Sequence, residues 1–264
     1  MFYDYHMHSN FSLDSDSPME EMIKKSIDLG IKEICFTDHV DYDLYTDDDL
    51  GINYDDYFNT LNLLSNKYKD SINIKKGIEM GLQRQVFDKC SSDVNTYPFD
   101  FVICSQHSIN KVELYFDDFF KDKTQIEAYE QYYKELYHIV KNYKDYSVLG
   151  HLDLVKRYGN YKSTLDDKYF LDIIEEILKQ AIYDGKGIEL NTSSFRYNLP
   201  DLTPSRTILS LYKDLGGEIL TTGSDSHIPS QIGYNFDMIY SYLKNSGFKY
   251  ICSFENMKPN FIKL

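Results

Sequence analysis

Short apolar runs rich in β-branched residues alternate with longer amphipathic stretches along the whole chain. Period-two or continuous apolar runs of this length predict strands, and the stretches between them predict helices. The predicted strands are Phe2–His6, Glu33–Thr37, Ile72–Ile78, Phe99–Ser105, Tyr146–Gly150, Gly187–Asn191, Glu218–Thr222 and Lys249–Ser253. Strands that alternate with helices in this way indicate βα units around a parallel sheet.

The first predicted helix covers Pro18–Leu29, where Pro18 suits the first turn and Gly30 a stop. Further helices are predicted at Tyr54–Tyr68, Gln125–Lys144, Leu165–Tyr183, Pro204–Leu215 and Gln231–Asn245. No linker or repeat interrupts the pattern, so we expect one domain over residues 1–264. The stretches Asp41–Asp56 and Leu114–Phe120 predict long loops after strands, and such loops often shape or cover a site.

Composition narrows the range of partners. A chain of 264 residues is long for an average domain, but α/β barrels commonly reach this size as one unit. The net charge of −14 argues against nucleic acid and anionic membranes as partners. The first residues lack the pattern of a secretion signal and no segment has the length of a membrane span, so we expect a cytoplasmic protein. Cysteines 35, 90, 104 and 252 show no CxxC spacing and are predicted to be free buried thiols.

Six of the seven histidines stand at or just past the carboxyl ends of predicted strands. His6 and His8 are two residues apart and can point to one face, and Asp225 and His227 repeat this spacing. In a barrel of parallel strands, all the carboxyl ends meet at one face, where active sites are built. The remaining members of the set are His39, Glu79, His107 and His151. Imidazoles with a few carboxylates suit Zn, Fe or Mn better than Ca or Mg.

His138 differs from the other histidines because it falls inside a predicted helix, and we interpret it as structural.

The placement of the arginines is a second indication of the kind of ligand. Only four of the 28 basic residues are arginines, and all four follow predicted strands: Arg84, Arg157, Arg196 and Arg206. A planar guanidinium binds phosphate oxygens in pairs, which is a reason to use Arg where Lys would otherwise serve. Salt bridges at the surface are the alternative, above all for Arg84 and Arg206.

Several motifs that occur in order along the chain carry a resemblance to a known family. They are His6-Met7-His8, Asp38-His39, Gly77-Ile78-Glu79, Gln106-His107, Gly150-His151-Leu152-Asp153 and Ser224-Asp225-Ser226-His227. This set resembles the PHP (polymerase and histidinol phosphatase) superfamily. The stretches Phe36–Asp41, Gly150–Gly159 and Asn191–Arg196 resemble the stand-alone histidinol phosphatases of histidine biosynthesis. One departure is Ser194, where that branch is expected to have Gly.

The resemblance implies a single-domain α/β fold, a distorted (βα)7 TIM-like barrel that holds three divalent transition-metal ions. It places the first ion on His6, His8, Glu79 and Asp225, and the second on Glu79, His107 and His151. The third ion would take His39, His227 and Asp14, with Asp16 as a nearby alternative to Asp14. The resemblance also makes Arg157 and Arg196 the phosphate ligands.

Clustered ions of this kind activate water and stabilise the attacking and leaving oxygens of a phosphoryl group. We therefore expect a metal-bridging hydroxide to hydrolyse a small phosphate monoester, L-histidinol phosphate in particular. The residue that protonates the leaving alkoxide is left open. Asp38, Asp41 and Asp153 flank the histidines, where they would orient imidazoles or cap loops.

Three alternatives stay open at this point. A PHP enzyme acting on nucleotides, oligonucleotides or phosphotyrosine would use the same ligands. An amidohydrolase also opens with HxH on a barrel strand, but it often carries a carbamylated Lys where this chain has Gln106-His107. A metal-stabilised binding module without catalysis would have a closed site, commonly with one ion.

Overall fold

Seven parallel strands follow one another around a barrel in the computed structural model, which describes residues 1–44 and 51–264. The strands in chain order are β1 (Tyr3–Met7), β2 (Glu33–Phe36), β3 (His39–Asp41), β4 (Asn73–Gly81), β5 (Phe101–Ser105), β6 (Ser108–Ile109), β7 (Val112–Glu113), β8 (Val148–Leu149), β9 (Gly187–Asn191), β10 (Leu220–Gly223), β11 (Tyr250–Glu255) and β12 (Lys258–Lys263). The barrel path is β1-β2-β4-β5-β8-β9-β10, and the short β3 pairs with β4 beyond the end of β2.

The barrel closes between its last strand and its first. The backbone N–H of Asp225 donates to the carbonyl of His6 at 2.7 Å, and that of His8 donates to the carbonyl of Ser226 at 2.8 Å. Both contacts lie just beyond β10, so closure involves His6, His8 and Asp225, three of the residues that were predicted to carry the site. The predicted distorted (βα)7 barrel is confirmed.

The helices pack around the outside of the barrel and are α1 (Met19–Asp28), α2 (Tyr54–Tyr68), α3 (Phe87–Thr96), α4 (Gln125–Asn142), α5 (Leu171–Tyr183), α6 (Arg206–Asp214) and α7 (Phe236–Asn245). Pro18 precedes the first helical residue, and Gly30 follows the helix with φ of +68°, as its role as a stop requires. Thr124 begins α4 with a capping box to Glu127, which satisfies backbone donors of the first turn.

The predicted strand Lys249–Ser253 forms, but it is not a barrel strand. It is β11, which pairs antiparallel with β12. Phe254 and Cys252 of this hairpin pack with Tyr5 and Phe101 in a buried apolar cluster. An apolar run predicts a buried strand but not its pairing partner, so the sequence alone did not separate a barrel strand from this hairpin.

Smaller differences concern bounds. The helix α3 was not predicted, because its buried face is only Cys90 and Val94. The strand β4 extends to Gly81, so Glu79 lies inside it rather than past it.

The four cysteines are free and buried, as predicted. Residues 45–50 of the predicted loop Asp41–Asp56 lie outside the described residues. In the part of the chain that is described, no helix has both the length and the apolar character to cross a membrane.

Candidate metal centre

The carboxyl ends of the barrel strands bring the predicted histidines together at one face. His6 lies near the end of β1 and His8 just beyond it, while Asp225 and His227 follow β10. The others come from the ends of different strands: His39 in β3, Glu79 in β4, His107 after β5 and His151 after β8. His138 lies apart from the group, on α4 beside the ring of Phe87. The topology therefore gathers residues that are far apart in sequence, as expected for this architecture.

The carboxylate of Glu79 is the centre of the group. It is fully buried, and imidazole nitrogens approach both of its oxygens. The nearest nitrogens are 3.0 Å (His6), 3.6 Å (His8) and 3.0 Å (His39) from Oε2, and 3.2 Å (His107) and 3.0 Å (His151) from Oε1. A carboxylate with imidazoles on both oxygens has the geometry of a bridge between two ions.

A second carboxylate, Asp225, faces the other side of the same histidines. Its Oδ1 is 3.6 Å from Nε2 of His8 and 3.9 Å from Nε2 of His6. On the solvent side, Oδ2 of Asp14 lies 2.9 Å from Nε2 of His227 and 3.6 Å from Nε2 of His39. In the described part of the chain, no histidine nitrogen comes within ion-pair distance of the exposed Asp16. The geometry thus favours Asp14 over Asp16.

The imidazoles and carboxylates of this group shift one another's pKa values. Burial alone would lower the pKa of His6, but the carboxylates of Glu189 and Glu79 raise this pKa well above its usual value. Burial alone would raise the pKa of Glu79, but the imidazoles around it hold this pKa well below its usual range. The buried His8 has a lowered pKa, because of burial first and then its neighbours His227 and His39.

Several of these nitrogens make no hydrogen bond, although they are buried. They include Nε2 of His8, Nδ1 of His39 and Nε2 of His227. Two of them lie within about 3 Å of a carboxylate oxygen, but without the angles of a hydrogen bond. Buried polar atoms normally find partners, so lone pairs that face one another in this way indicate positions for cations. The imidazole and carboxylate donors fit divalent transition-metal ions.

The triads of mutually close donor atoms overlap. They are His8/His39/His227, His6/His151/Asp225, His6/His8/Glu79, His39/Asp41/His107 and Glu79/His107/His151. Every histidine of the predicted set appears in at least one triad. The overlap supports several ion positions that share ligands, and the division of ligands among individual ions is a matter for the proposal below.

A carboxylate that the sequence analysis missed stands behind His6. Oε1 of Glu189, on β9, is 2.7 Å from Nδ1 of His6. Asp41 has the same relation to His107, with Oδ1 3.0 Å from Nδ1. Carboxylates in this position orient the ring and fix its tautomer. The one available signal for Glu189 was a charged residue within the predicted strand Gly187–Asn191.

The other two flanking aspartates do not contact an imidazole. Asp38 accepts hydrogen bonds from the backbone and hydroxyl groups of Ser9 and Ser12, which shapes the loop after β1. Asp153 accepts from Lys156 at 2.9 Å and from the backbone of Ser205 at 3.1 Å. Their contacts match the loop-capping interpretation.

An open cleft of about 440 Å³ lies over the metal-ligand group, which is within the range of small-molecule sites. Arg157 and Arg196 both line it. Arg157 donates to Oγ of Ser193 at 2.5 Å, lies 3.3 Å from Oδ2 of Asp225, and stacks 4.0 Å from the ring centre of Tyr197. Its Nε is buried without a hydrogen-bond partner among the described residues. The guanidinium of Arg157 therefore keeps N–H donors that its contacts with Ser193 and Asp225 do not use.

The remaining arginines are used differently. Arg196 donates to the backbone carbonyls of Ser224 and Asp225 at 2.7 and 2.5 Å, so it also fixes the loop that carries a predicted ligand. Arg84 pairs with Glu135 and Arg206 with Asp201, and neither lines the cleft. The salt-bridge interpretation therefore applies to Arg84 and Arg206.

Ser194 fits its position without strain. It lies in a short 3₁₀ turn, Ser193–Phe195, and its φ is not positive. A glycine is required only where φ is positive or where a side chain would collide, so the departure at Ser194 leaves the loop near Arg196 intact.

Comparisons of the sequence and of the structure with known proteins point to one family. The PHP domain family model matches residues 4–193. A histidinol-phosphatase of Lactococcus lactis subsp. lactis is 34% identical over 97% of this chain and 95% of its own length. A probable histidinol-phosphatase of Clostridium acetobutylicum is 30% identical over 100% of this chain and 97% of its own. The crystal structure of the L. lactis histidinol phosphate phosphatase, complexed with Zn, L-histidinol and phosphate, superposes with a TM-score of 0.92 and covers 98% of both chains.

Proposed function

The chain belongs to the PHP domain family, and we propose that it is a metal-dependent histidinol-phosphatase, which hydrolyses L-histidinol phosphate to L-histidinol and phosphate. One observation carries the proposal: the cleft that lies over the imidazoles around Glu79 is also lined by the guanidinium of Arg157. This combination offers positions for cations and a donor for a phosphate oxygen in one site. The relatives of similar length and the zinc complex of the L. lactis enzyme support the same reaction.

We assign the metal ligands in three sets. The first set is His6, His8, Glu79 and Asp225, the second is Glu79, His107 and His151, and the third is Asp14, His39 and His227. The contacts of Glu79 support its role as the bridge, and the approach of Asp14 to His39 and His227 supports the third set. Zinc, iron and manganese all suit these donors. Bound divalent ions supply Lewis acidity to the phosphoryl oxygens and lower the pKa of water.

We assign separate roles in binding the phosphoryl group to individual residues of the chain. Arg157 presents its guanidinium to a phosphate oxygen, while Ser193 and Asp225 hold one of its terminal nitrogens in place. Arg196 holds the backbone of Asp225, which keeps that carboxylate in register with His6 and His8. The net charge of −14 would be offset locally, because bound cations would add their charge to the two guanidinium groups that line the cleft.

Glu113 accounts for selectivity toward the alcohol part of the substrate. Its side chain lines the same cleft and forms no hydrogen bond or ion pair with the described residues. Burial and, after it, the nearby Asp41 raise its pKa, so an incoming cation would stabilise its charged form. Histidinol carries an ammonium group and an imidazole, and either would meet this need. The occupants that we propose for the cleft are therefore an anion at Arg157 and a cation at Glu113.

The test is a substrate panel on the zinc-loaded and manganese-loaded protein. Histidinol phosphate, AMP, phosphotyrosine and a short oligonucleotide are compared by kcat/KM, before and after chelation. We expect the highest value for histidinol phosphate, its loss on chelation, and recovery when metal returns. A higher kcat/KM for AMP, phosphotyrosine or the oligonucleotide would contradict the substrate, and activity that survives chelation would contradict the metal dependence.

A further inference from the structure

Glu189 is a buried carboxylate that has no role in the proposed binding of the substrate. Its side chain is 1% exposed, and both oxygens accept hydrogen bonds from the described residues. Oε1 faces Nδ1 of His6 at 2.7 Å. Oε2 accepts from the backbone N–H of His151 at 2.9 Å and from Nδ2 of Asn191 at 3.1 Å. One carboxylate thus contacts two residues that we assign to different metal ions.

The contact depends on a gap in the neighbouring strand. Glu189 lies on β9 and His6 on β1, and β10 runs between them in the barrel. The gap is at Gly223 of β10. A Cβ built on Gly223 would lie 2.2 Å from Oε1 of Glu189 and 2.4 Å from Cβ of His6, so any side chain there would collide with both. The φ of Gly223 is not positive, which leaves the missing side chain as the reason for glycine.

The same arrangement occurs a second time. A Cβ on Gly81 of β4 would lie 1.7 Å from Oδ1 of Asp41, which in turn faces Nδ1 of His107. In both cases a carboxylate crosses a glycine on the adjacent strand to reach Nδ1 of an imidazole. In both cases Nε2 of that imidazole points at Glu79. The repetition shows that the contact at Glu189 is a feature of the barrel mouth rather than an isolated hydrogen bond.

We propose that Glu189 is a positioning residue, which holds His6 as the Nδ1–H tautomer with Nε2 free for a metal ion, and that Gly223 is required to make room for it. The inference rests on the metal site of the proposed function. A carboxylate on Nδ1 excludes the tautomer that carries its proton on Nε2, and it makes Nε2 a stronger donor to the metal. Because Oε2 also fixes the backbone at His151, Glu189 sets the spacing between the two ligands.

The contacts of Glu189 make Glu189→Gln a sharp variant. Oε1 and Oε2 both accept hydrogen bonds, whereas a glutamine offers one acceptor and one donor. If the amide nitrogen faces the N–H of His151 and the amide of Asn191, donors oppose donors. If it faces His6, it donates to Nδ1 and moves the proton of the ring to Nε2. Either orientation weakens the metal site while side-chain volume is retained.

Glu33→Gln is the matched control. Glu33 is likewise a buried strand carboxylate, and it accepts hydrogen bonds from Tyr5 and Asn73, away from the metal ligands. Its loss is expected to lower stability without changing metal affinity. Two further variants address the geometry: Glu189→Asp keeps the charge but shortens the reach, and Gly223→Ala fills the gap.

The experiment measures zinc affinity by competition with a chromophoric chelator and metal content by mass spectrometry, for each folded variant. We expect Glu189→Gln, Glu189→Asp and Gly223→Ala to bind one zinc ion about 10- to 100-fold more weakly than the wild type. Glu33→Gln should match the wild type. If Glu189→Gln fails to fold, Glu189→Asp and Gly223→Ala decide the question. Wild-type zinc affinity in the folded variants would overturn the proposal.

A second readout reports on the ring itself. In the zinc-loaded protein labelled with ¹⁵N-histidine, His6 should show its proton on Nδ1, and Glu189→Gln should lose or shift this signal. A proton on Nε2 of His6 in the wild type would equally overturn the proposal. Both readouts concern zinc and one imidazole, so they are independent of whether histidinol phosphate is the substrate.

Discussion

Nε2 of His6 lies 3.0 Å from Oε2 of Glu79, and both side chains are fully buried. Taking an isolated charge out of water is costly, so two such groups need protons or a cation between them. Without metal, protons on His6 and His107 fill this need, because the facing carboxylates outweigh burial and raise the pKa of both imidazoles. Metal binding must displace those protons, which makes it pH-dependent.

The first prediction concerns the pH dependence of stabilisation by zinc. The pKa values of His6 and His107 are raised, with burial opposing and the facing carboxylates dominating. Groups with a raised folded pKa stabilise the metal-free protein below about pH 6.5, and this contribution is lost as pH rises through the raised values. Zinc should therefore increase the melting temperature more at pH 8 than at pH 6.

Thermal melts with and without zinc at the two pH values measure this difference. Magnesium is the control, because it prefers oxygen ligands and should shift the melting temperature little at either pH. An equal shift by zinc at pH 6 and pH 8 would show that these imidazoles do not exchange protons for metal.

The second prediction concerns Arg157. Arg157→Ala should lower kcat/KM for histidinol phosphate by about 10- to 100-fold, because a charge-assisted hydrogen bond contributes about 1.5–3 kcal/mol. Arg84→Ala is the control and should leave kcat/KM unchanged, since Arg84 pairs with Glu135 away from the cleft. Steady-state kinetics with a metal assay on each variant separate phosphate binding from metal loss. Wild-type kcat/KM in Arg157→Ala would remove this residue from the phosphate site.

The third prediction concerns Glu113 and selectivity. Glu113→Gln should raise KM for histidinol phosphate about tenfold, since it removes a charge-assisted contact with the cationic part of the substrate. Hydrolysis of p-nitrophenyl phosphate, whose alcohol part has no cation, should be unaffected. Glu130→Gln, on the exposed face of α4, is the control for general charge effects. If both substrates respond equally, Glu113 has no part in recognising the alcohol group.

The fourth prediction compares two histidines. His107→Ala should lower kcat by about 100-fold or more, because several kilocalories per mole of transition-state stabilisation depend on the metal that it would hold. The fold should persist, because the side chain is 18% exposed rather than part of the apolar core. His138→Ala is the matched control and should retain full kcat. Circular dichroism and kinetics check both variants, and an active His107→Ala would remove that residue from the second metal position.

Spacing along the chain predicted which histidines would lie together. His6, His39, His107, His151 and His227 all follow apolar runs, so parallel strands were expected to gather them, and the structure does bring them together. This prediction depends only on the topology, because the carboxyl ends of the strands lie at one face of a closed parallel barrel.

Other features depend on three-dimensional contacts that no local pattern encodes. In the sequence, Glu189 is a charged residue within a predicted strand. Its contact with His6 forms only because β1, β9 and β10 are neighbours in the barrel. The hairpin of β11 and β12 was missed for the same reason, because an apolar run does not reveal its pairing partner. Gly223 shows the limit most clearly, since its role is the space that it leaves between two side chains.

Anomalous diffraction from crystals of the zinc-loaded protein examines the metal cage itself. Data collected at the zinc edge should show three ions at the barrel mouth, bound by the residues of the three proposed ligand sets, with Glu79 bridging two of them. A structure in which His6, His39, His107 and His227 share no ion with any other member of these sets would contradict the metal site and the chemistry that depends on it.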